Sequence, residues 1–136
     1  MTTRLALVSL EHVHAGHYLF CLRNLPGIEV VAVAESDQRR VSAHAGLLER
    51  LTVVSDYHEL LRPGAVDGVL ICSANGRHKP MVLDFARAKV PILCEKPIAT
   101  KCVDAREMLA ICEAHEVPLG ICFPVRFSEP LRQANG

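Results

Sequence analysis

Glu95, Lys96 and Pro97 form the stretch of this sequence whose residue types are best suited to chemistry. They follow the apolar run 91–94, which has the composition of a buried strand. Ligands of parallel α/β sheets bind beyond the carboxyl ends of the strands, so this carboxylate and ammonium would lie at a binding crevice. Lys96 is the candidate catalytic residue, because Pro97 biases its backbone toward an extended form and its ammonium can hold a hydroxyl or carbonyl oxygen. A surface turn with a local ion pair is the alternative interpretation.

Two other predicted strands also end in polar residues. Glu35 ends the second strand, where a carboxylate can accept both ribose hydroxyls of an adenosine and repel a 2′-phosphate. Arg39 and Arg40, nearby, complicate this preference, because an arginine there can take a phosphate or stack on adenine. The loop 73–76 follows the fourth strand, and Asn75 and His78 are expected to face the same crevice. The alternatives are an exposed turn acid for Glu35 and a solvent-facing first-turn residue for His78.

The turn after the first strand departs from the glycine-rich pattern that binds a dinucleotide. A G-x-G-x-x-G pattern would place glycines where this chain has Ser9, Glu11 and His14. Side chains at these positions are expected to obstruct a pyrophosphate, and Glu11 would repel it by about 1 to 4 kcal/mol at a separation of about 4 Å. The candidate cofactor-binding residues are Ser9, Leu10, His12, Val13, Glu35, Arg40, Ser73, Asn75, His78, Glu95 and Lys96.

Three histidines near this turn raise the question of a metal site. His12, His14 and His17 are close in sequence, and neutral imidazoles bind zinc. Their spacing is not a standard zinc pattern, and the cluster straddles a turn. We therefore expect polar loop residues at the mouth of a crevice and no metal.

Apolar strand patterns alternate with helical patterns along the chain, which predicts an α/β fold. Six strands and their connecting helices fit a doubly wound parallel sheet of Rossmann type, with strand order 3-2-1-4-5-6 and three α/β/α layers. In the last helix, Val103, Met108, Leu109 and Cys112 are expected to face inward. The predicted strands are 5–8, 28–34, 52–54, 66–72, 91–94 and 119–123, and the predicted helices are 15–25, 39–51, 56–61, 78–88 and one from an N-cap at Thr100 to near His115.

Composition narrows the function classes. A chain of 136 residues with a formal net charge of 0 and 4% aromatic residues fits one domain and disfavours a nucleic-acid partner. We expect no membrane partner, because no apolar run approaches the roughly 20 residues of a membrane span. The six cysteines form no C-x-x-C pair, which favours a reducing cytoplasm.

With these motifs placed, the chain resembles the glucose-fructose oxidoreductase, inositol dehydrogenase and rhizopine-catabolism (Gfo/Idh/MocA) family. Its Glu-Lys-Pro follows a loop similar to the family's Thr-Pro-Asn-x-x-His, from which Ser73 and Ala74 depart. Glu35 takes the position of the family's usual Asp. Further matches are Asn75, His78, Glu95, Lys96 and Pro97, the helix-one His17, Asp37 and Arg40, and the exit residues Gly120, Arg126, Phe127 and Pro130.

The resemblance implies the nucleotide-binding domain of an NAD(P)-dependent oxidoreductase for a sugar, polyol or related hydroxyl compound, with NAD favoured over NADP. We expect a dinucleotide-binding domain at 1–123 and an exit segment at 124–136, leading to a second domain that supplies an Asp and a His for proton transfer. The chain alone would be inactive, and a homodimer is possible. The alternative is a non-catalytic binding or regulatory module on the same fold that has lost nicotinamide binding.

Overall fold

The structure is a computed structural model that describes residues 1–127. All six strands run parallel in one sheet, in the order β3-β2-β1-β4-β5-β6, which confirms the predicted topology. The strands are β1 (Thr3–Val8), β2 (Ile28–Ala34), β3 (Thr52–Val54), β4 (Gly68–Ile71), β5 (Ile92–Glu95) and β6 (Leu119–Cys122).

Helices cover both faces of this sheet. The α-helices are α1 (Ala15–Arg23), α2 (Gln38–Ala43), α3 (Ala45–Leu48), α4 (His78–Arg87) and α5 (Cys102–Ala114), and 3-10 turns occupy Tyr57–Leu61, Asn75–Arg77 and Pro124–Phe127. Within residues 1–127, no helix combines the length and apolar character needed to cross a bilayer.

The alternation of side chains along each strand divides the core in two. In β1, Leu7 packs with Leu19 of α1 on one face of the sheet. On the other face, Val8 shares a cluster with Phe85 of α4 and Met108 of α5. Both faces of the strand are buried, which explains why β1 reads as a continuous apolar run.

The first and second predicted helices differ in extent from those observed. The predicted helix 39–51 is broken at His44, which has φ −109° and ψ 12° and lies between α2 and α3. Ser42 donates a hydrogen bond to the Gln38 carbonyl at 2.8 Å, and a His44 ring nitrogen lies 2.8 Å from the Arg40 carbonyl oxygen. Such side-chain bonds compete with the helical backbone ladder. Helix α1 ends at Arg23 rather than at position 25, before a turn in which Gly27 adopts φ +77°.

The last helix begins later and faces differently than predicted. Its N-cap is Lys101 rather than Thr100. Met108 and Cys112 are buried as expected, but Val103 and Leu109 are more than half exposed. Leu109 lies about 100° around the helix from Met108, and the buried face of α5 is centred on Met108 and Cys112. The prediction of an inward Val103 and Leu109 was wrong. Pro130 of the predicted exit motif lies outside the described residues.

Candidate functional site

The strand register brings the predicted site residues to one edge of the sheet. Val8, the last residue of β1, pairs with Ala34 of β2 and with Ile71 of β4. Ile71 pairs in turn with Cys94 of β5. The segments that follow these strands therefore lie at the same carboxyl edge, where doubly wound sheets bind ligands. They begin near Ser9, Glu35, Ser73 and Lys96.

The first turn forms without its glycine. Ser9 has φ +71°, the left-handed conformation that glycine adopts readily and other residues rarely. Its side chain is buried, with the hydroxyl 3.1 Å from the Glu11 backbone nitrogen and 3.3 Å from a Glu35 oxygen. The expectation that Ser9 obstructs the crevice is wrong, because its side chain points into the protein.

The Glu35 carboxylate is buried, and backbone donors of the protein already occupy both of its oxygens. Its Oε2 accepts the Leu10 backbone N–H at 2.7 Å, and its Oε1 accepts that of Asp37 at 2.8 Å. Arg40 adds a contact of 3.3 Å. Burial alone would raise the pKa of Glu35, but the two backbone hydrogen bonds and Arg40 outweigh it, and the pKa lies below its ordinary value. Ribose binding by Glu35 stays a prediction, and it would have to compete with these donors.

Leu10 and Val13 have different environments in the same turn. The Leu10 side chain is buried in the core cluster beside α1, so only its backbone remains at the crevice. Val13 is almost fully exposed. Of these two predicted cofactor contacts, Val13 alone presents its side chain to solvent.

Glu11 spans the crevice between the first turn and the loop after β4. Its Oε2 accepts the Ala74 backbone N–H at 2.7 Å. Arg40 lies 3.4 Å from Oε1, and Arg77 lies 3.5 Å from Oε2. A backbone amide and two guanidinium groups are donors that suit phosphate oxygens, and here they converge on the protein's own carboxylate. The sequence predicted repulsion by Glu11 but not this bridge, because residue 74 is distant in sequence.

The loop after β4 places Asn75 and His78 in opposite environments. Asn75 is exposed at the start of its 3-10 turn, whereas Ser73 and His78 are fully buried. The His78 ring lies between two backbone oxygens, with Nδ1 3.0 Å from that of Pro97 and Nε2 3.1 Å from that of Ser73. His78 therefore joins this loop to the segment after β5. The prediction that it faces the crevice is wrong, and so is the alternative of a solvent-facing residue.

Glu95 is the centre of a second cluster. This fully buried carboxylate accepts hydrogen bonds at 2.7 Å from the Tyr18 hydroxyl on Oε1 and from the Lys96 backbone N–H on Oε2. His14 Nδ1 lies 2.7 Å from Oε1, and His12 Nδ1 lies 3.7 Å from it. Lys96 itself is half-buried and begins the segment beyond the strand. The sequence placed His12 and His14 together but could not show that Glu95 and Tyr18 complete the cluster.

Burial and hydrogen bonding shift the pKa values in this cluster. Burial alone would raise the pKa of Glu95, but bonds from Tyr18, His14 and the Lys96 backbone lower it below its usual range. Burial and the bond to Glu95 raise the pKa of Tyr18. Burial lowers the pKa of His12, against the opposing charge of Glu95. The cluster thus favours an ionised carboxylate beside a protonated phenol and a neutral His12 ring.

The strand order, the left-handed first turn and the acid after β2 define a domain of the dinucleotide-binding class. The family model GFO_IDH_MocA, described as "Oxidoreductase family, NAD-binding Rossmann fold", matches residues 10–123. The chain belongs to this family, as its motifs predicted.

Curated relatives are similar over most of this chain but are much longer. An inositol 2-dehydrogenase of Rubrobacter xylanophilus is 40% identical over 98 residues, which cover 71% of this chain and 26% of that protein. A D-apiose dehydrogenase of Paraburkholderia graminis is 35% identical over 130 residues, which cover 94% of this chain and 32% of that protein. The matched part of this chain thus corresponds to about a third or less of the length of these relatives.

Solved structures share the fold. An oxidoreductase from Agrobacterium radiobacter, in complex with NAD+, L-tartaric acid and magnesium, superposes with a TM-score of 0.90 at 24% identity, covering 98% of this chain and 39% of that one. A scyllo-inositol dehydrogenase from Lactobacillus casei, with bound NAD(H) and scyllo-inositol, gives a TM-score of 0.85 at 18% identity, covering 98% and 40%. At these identities the similarity establishes the fold alone.

Proposed function

We propose that this chain is the nucleotide-binding domain of an NAD(P)-dependent oxidoreductase for a sugar, polyol or related hydroxyl compound, with NAD preferred. Family membership supports the cofactor, and the inositol and apiose dehydrogenases among its relatives support the substrate class. The observation that carries the proposal is the register of β1, β2, β4 and β5, because it aligns the Ser9 turn, Glu35 and Lys96 along one edge.

The donors at the crevice fit a dinucleotide phosphate. The Ala74 N–H, Arg40 and Arg77 already surround a carboxylate, that of Glu11, within 3.5 Å. A phosphate oxygen offers the same donors a similar anionic acceptor. Glu11 must leave at least part of this donor set before a phosphate can use it. We therefore expect the chain to bind the cofactor, but weakly.

Lys96 is the proposed catalytic residue. When bound, NAD+ would supply a hydride acceptor for the carbinol carbon of the substrate, whose hydroxyl proton would pass to a base, leaving a carbonyl. The Lys96 ammonium would hold that oxygen and stabilise negative charge on it. The final proton acceptor is proposed to come from a second domain. The residues described here would therefore bind the cofactor and orient the substrate, but would not complete the reaction alone.

The wider organisation is also a proposal. We place the nucleotide-binding domain at 1–123 and an exit segment at 124–136. A homodimer would cover the exposed Val103 and Leu109 of α5. The six cysteines are all free, which supports a reducing cytoplasm. Light scattering tests the dimer, and a strict monomer at high concentration would contradict it.

Titration with NADH tests the proposed function. Binding is expected to change the fluorescence of NADH in a saturable manner, with the fold of the chain checked by circular dichroism. Arg40→Ala should weaken binding because it removes a crevice donor. Arg87→Ala is the matched control, since Arg87 is exposed and pairs with Asp84 at the C-terminal end of α4, away from the carboxyl edge of the sheet. Unaltered emission at millimolar NADH from a folded chain would contradict the proposal.

The Glu11 bridge favours one alternative function. A crevice whose phosphate donors are already occupied suits a binding or regulatory module on the same fold that no longer holds a nicotinamide cofactor. Such a module would leave NADH fluorescence unchanged, and so would its Glu11→Gln variant. Saturable binding of NADH by either form would exclude this alternative.

A further inference from the structure

Two histidines of the first turn and the acid that ends β5 bring metal-ligating atoms together. His12, His14 and Glu95 each offer one such atom, and these atoms lie within 4.8 Å of one another. Glu95 is 81 residues from His14 in sequence, so only the fold assembles the group. His12 and Glu95 are also candidate cofactor-binding residues, but the proposed cofactor role does not use the three ligating atoms together.

The distances are close to those of a coordination sphere. His14 Nδ1 and His12 Nδ1 lie 2.7 Å and 3.7 Å from the same Glu95 oxygen. Zinc bonds of about 2.0–2.2 Å in a tetrahedral arrangement separate ligand atoms by about 3.3–3.5 Å. The first distance must open and the second must close, each by less than about 1 Å. The two histidine nitrogens, which lie within 4.8 Å of each other, must reach the same separation. Small rotations of two imidazole rings on a turn supply such shifts.

The lone pairs that a metal needs are present. His12 Nδ1 lies 3.2 Å from the His14 backbone N–H and accepts its hydrogen bond, so this nitrogen carries no proton. A metal would take over the same lone pair. At His14 the ion would replace the proton now shared between Nδ1 and the Glu95 carboxylate, which is the exchange that metal binding to histidine requires.

Outer contacts already hold the carboxylate in position. The Tyr18 hydroxyl donates to Oε1 and the Lys96 backbone N–H donates to Oε2, each at 2.7 Å. Hydrogen bonds of this kind orient ligating carboxylates in metal sites. An oxygen that accepts from Tyr18 retains a second lone pair for an ion, so Tyr18 would be a positioning residue.

We propose that His12, His14 and Glu95 form a binding site for a borderline divalent metal ion, zinc by preference. Two nitrogens and one oxygen suit zinc and its neighbours better than magnesium or calcium, which prefer oxygen ligands. Three protein ligands leave a fourth position for water or a ligand oxygen. His14 is partly exposed, so that position is accessible from the crevice. His17, which the sequence grouped with these histidines, lies outside the cluster and contacts Cys21 at 3.5 Å.

Metal titration of the chain, freed of metal by a chelator, tests this proposal. Co²⁺ serves as a coloured probe through its visible absorption, and Zn²⁺ binding is measured by calorimetry and by displacement of Co²⁺. The chain should bind one ion per molecule. His12→Ala and His14→Ala should each weaken binding by at least about tenfold, since even outer-shell changes cost that much. His17→Ala is the matched control and should bind as the unaltered chain does.

Several results would overturn the metal site. One is the absence of saturable Co²⁺ or Zn²⁺ binding to the unaltered, folded chain. Another is equal affinity in the His12→Ala, His14→Ala and His17→Ala variants, which would indicate scattered surface histidines. Tyr18→Phe, with its fold checked by circular dichroism, should also bind the ion more weakly, and unchanged affinity would contradict the positioning role. None of these readouts uses NADH or turnover, so they are independent of the proposed function.

Discussion

The Glu11 carboxylate accepts the Ala74 backbone N–H at 2.7 Å and so closes the crevice between the first turn and the loop after β4. Arg40 and Arg77 contact the same carboxylate. In the glycine-rich pattern that binds a dinucleotide, this position carries no side chain. The chain thus supplies an internal anion where a cofactor phosphate would find its donors.

Glu11→Gln is expected to increase NADH affinity. Removing one negative charge near a phosphate relieves repulsion of about 1 to 4 kcal/mol, so we expect about a tenfold gain or more. Fluorescence titration measures it. Glu29→Gln is the control, because Glu29 is exposed near the opposite end of β2. Unchanged or weaker binding by Glu11→Gln would show that Glu11 does not compete with the cofactor.

Substitutions of Ser9 test the left-handed turn. Ser9→Gly and Ser9→Ala both remove the hydroxyl, but only glycine adopts φ +71° without strain. The free energy of unfolding of Ser9→Gly should exceed that of Ser9→Ala by about 1 kcal/mol. Urea unfolding of the two variants measures the difference. Equal stability, or a more stable alanine variant, would contradict the conformation.

Tyr18→Phe tests the contribution of the Glu95 cluster to stability. The change leaves a fully buried carboxylate with one donor fewer, which should lower the free energy of unfolding by about 1–3 kcal/mol. Tyr57→Phe is the matched comparison, because the Tyr57 hydroxyl donates to the more exposed Asp84 at 2.8 Å. Tyr57→Phe should lower the free energy of unfolding by less than Tyr18→Phe does. A larger loss from Tyr57→Phe, in thermal or urea unfolding, would be inconsistent with the central position of Glu95.

The burial of the cysteines leads to predictions for thiol reactivity and for the stability of the fold at alkaline pH. Burial raises the pKa of the Cys94 thiol to about 12 and that of Cys122 to about 11 from an ordinary value of 9.0. Iodoacetamide should modify the exposed Cys102 first and the buried thiols only after unfolding. Because these two pKa values are raised in the folded state, their contribution to stability is complete below pH 9 and falls toward pH 12. Rapid labelling of Cys94 in the folded chain, or stability that rises across this interval, would contradict the burial.

Sequence reasoning predicted the framework because its signals are local. Each apolar run followed by a polar residue marked a strand end, as at Glu35 and Glu95, and the alternation of strands with helices predicted a doubly wound parallel sheet. The strand order was inferred from the dinucleotide-binding arrangement of such sheets. The predicted orientation of α5 was wrong, because a helix with apolar residues on several sides does not show in its sequence which side packs against the sheet. Val103 and Leu109 are the residues affected.

The site was predicted less completely, because its contacts link distant segments. Glu35 and Glu95 were identified as crevice acids, but their burial depends on donors from Leu10, Tyr18 and His14. His78 was expected at the crevice, and instead it joins two loops through the Pro97 and Ser73 carbonyls. Such pairings depend on how the strands assemble rather than on any local pattern.

Amide hydrogen exchange with and without NADH tests the central claim most directly. If one dinucleotide lies along the carboxyl edge, residues 9–15, 73–78 and 95–98 should gain protection together. Residues 115–118, which precede β6 at the opposite edge, should not change. Protection confined to one of the three segments, or its absence at saturating NADH, would contradict a shared cofactor site.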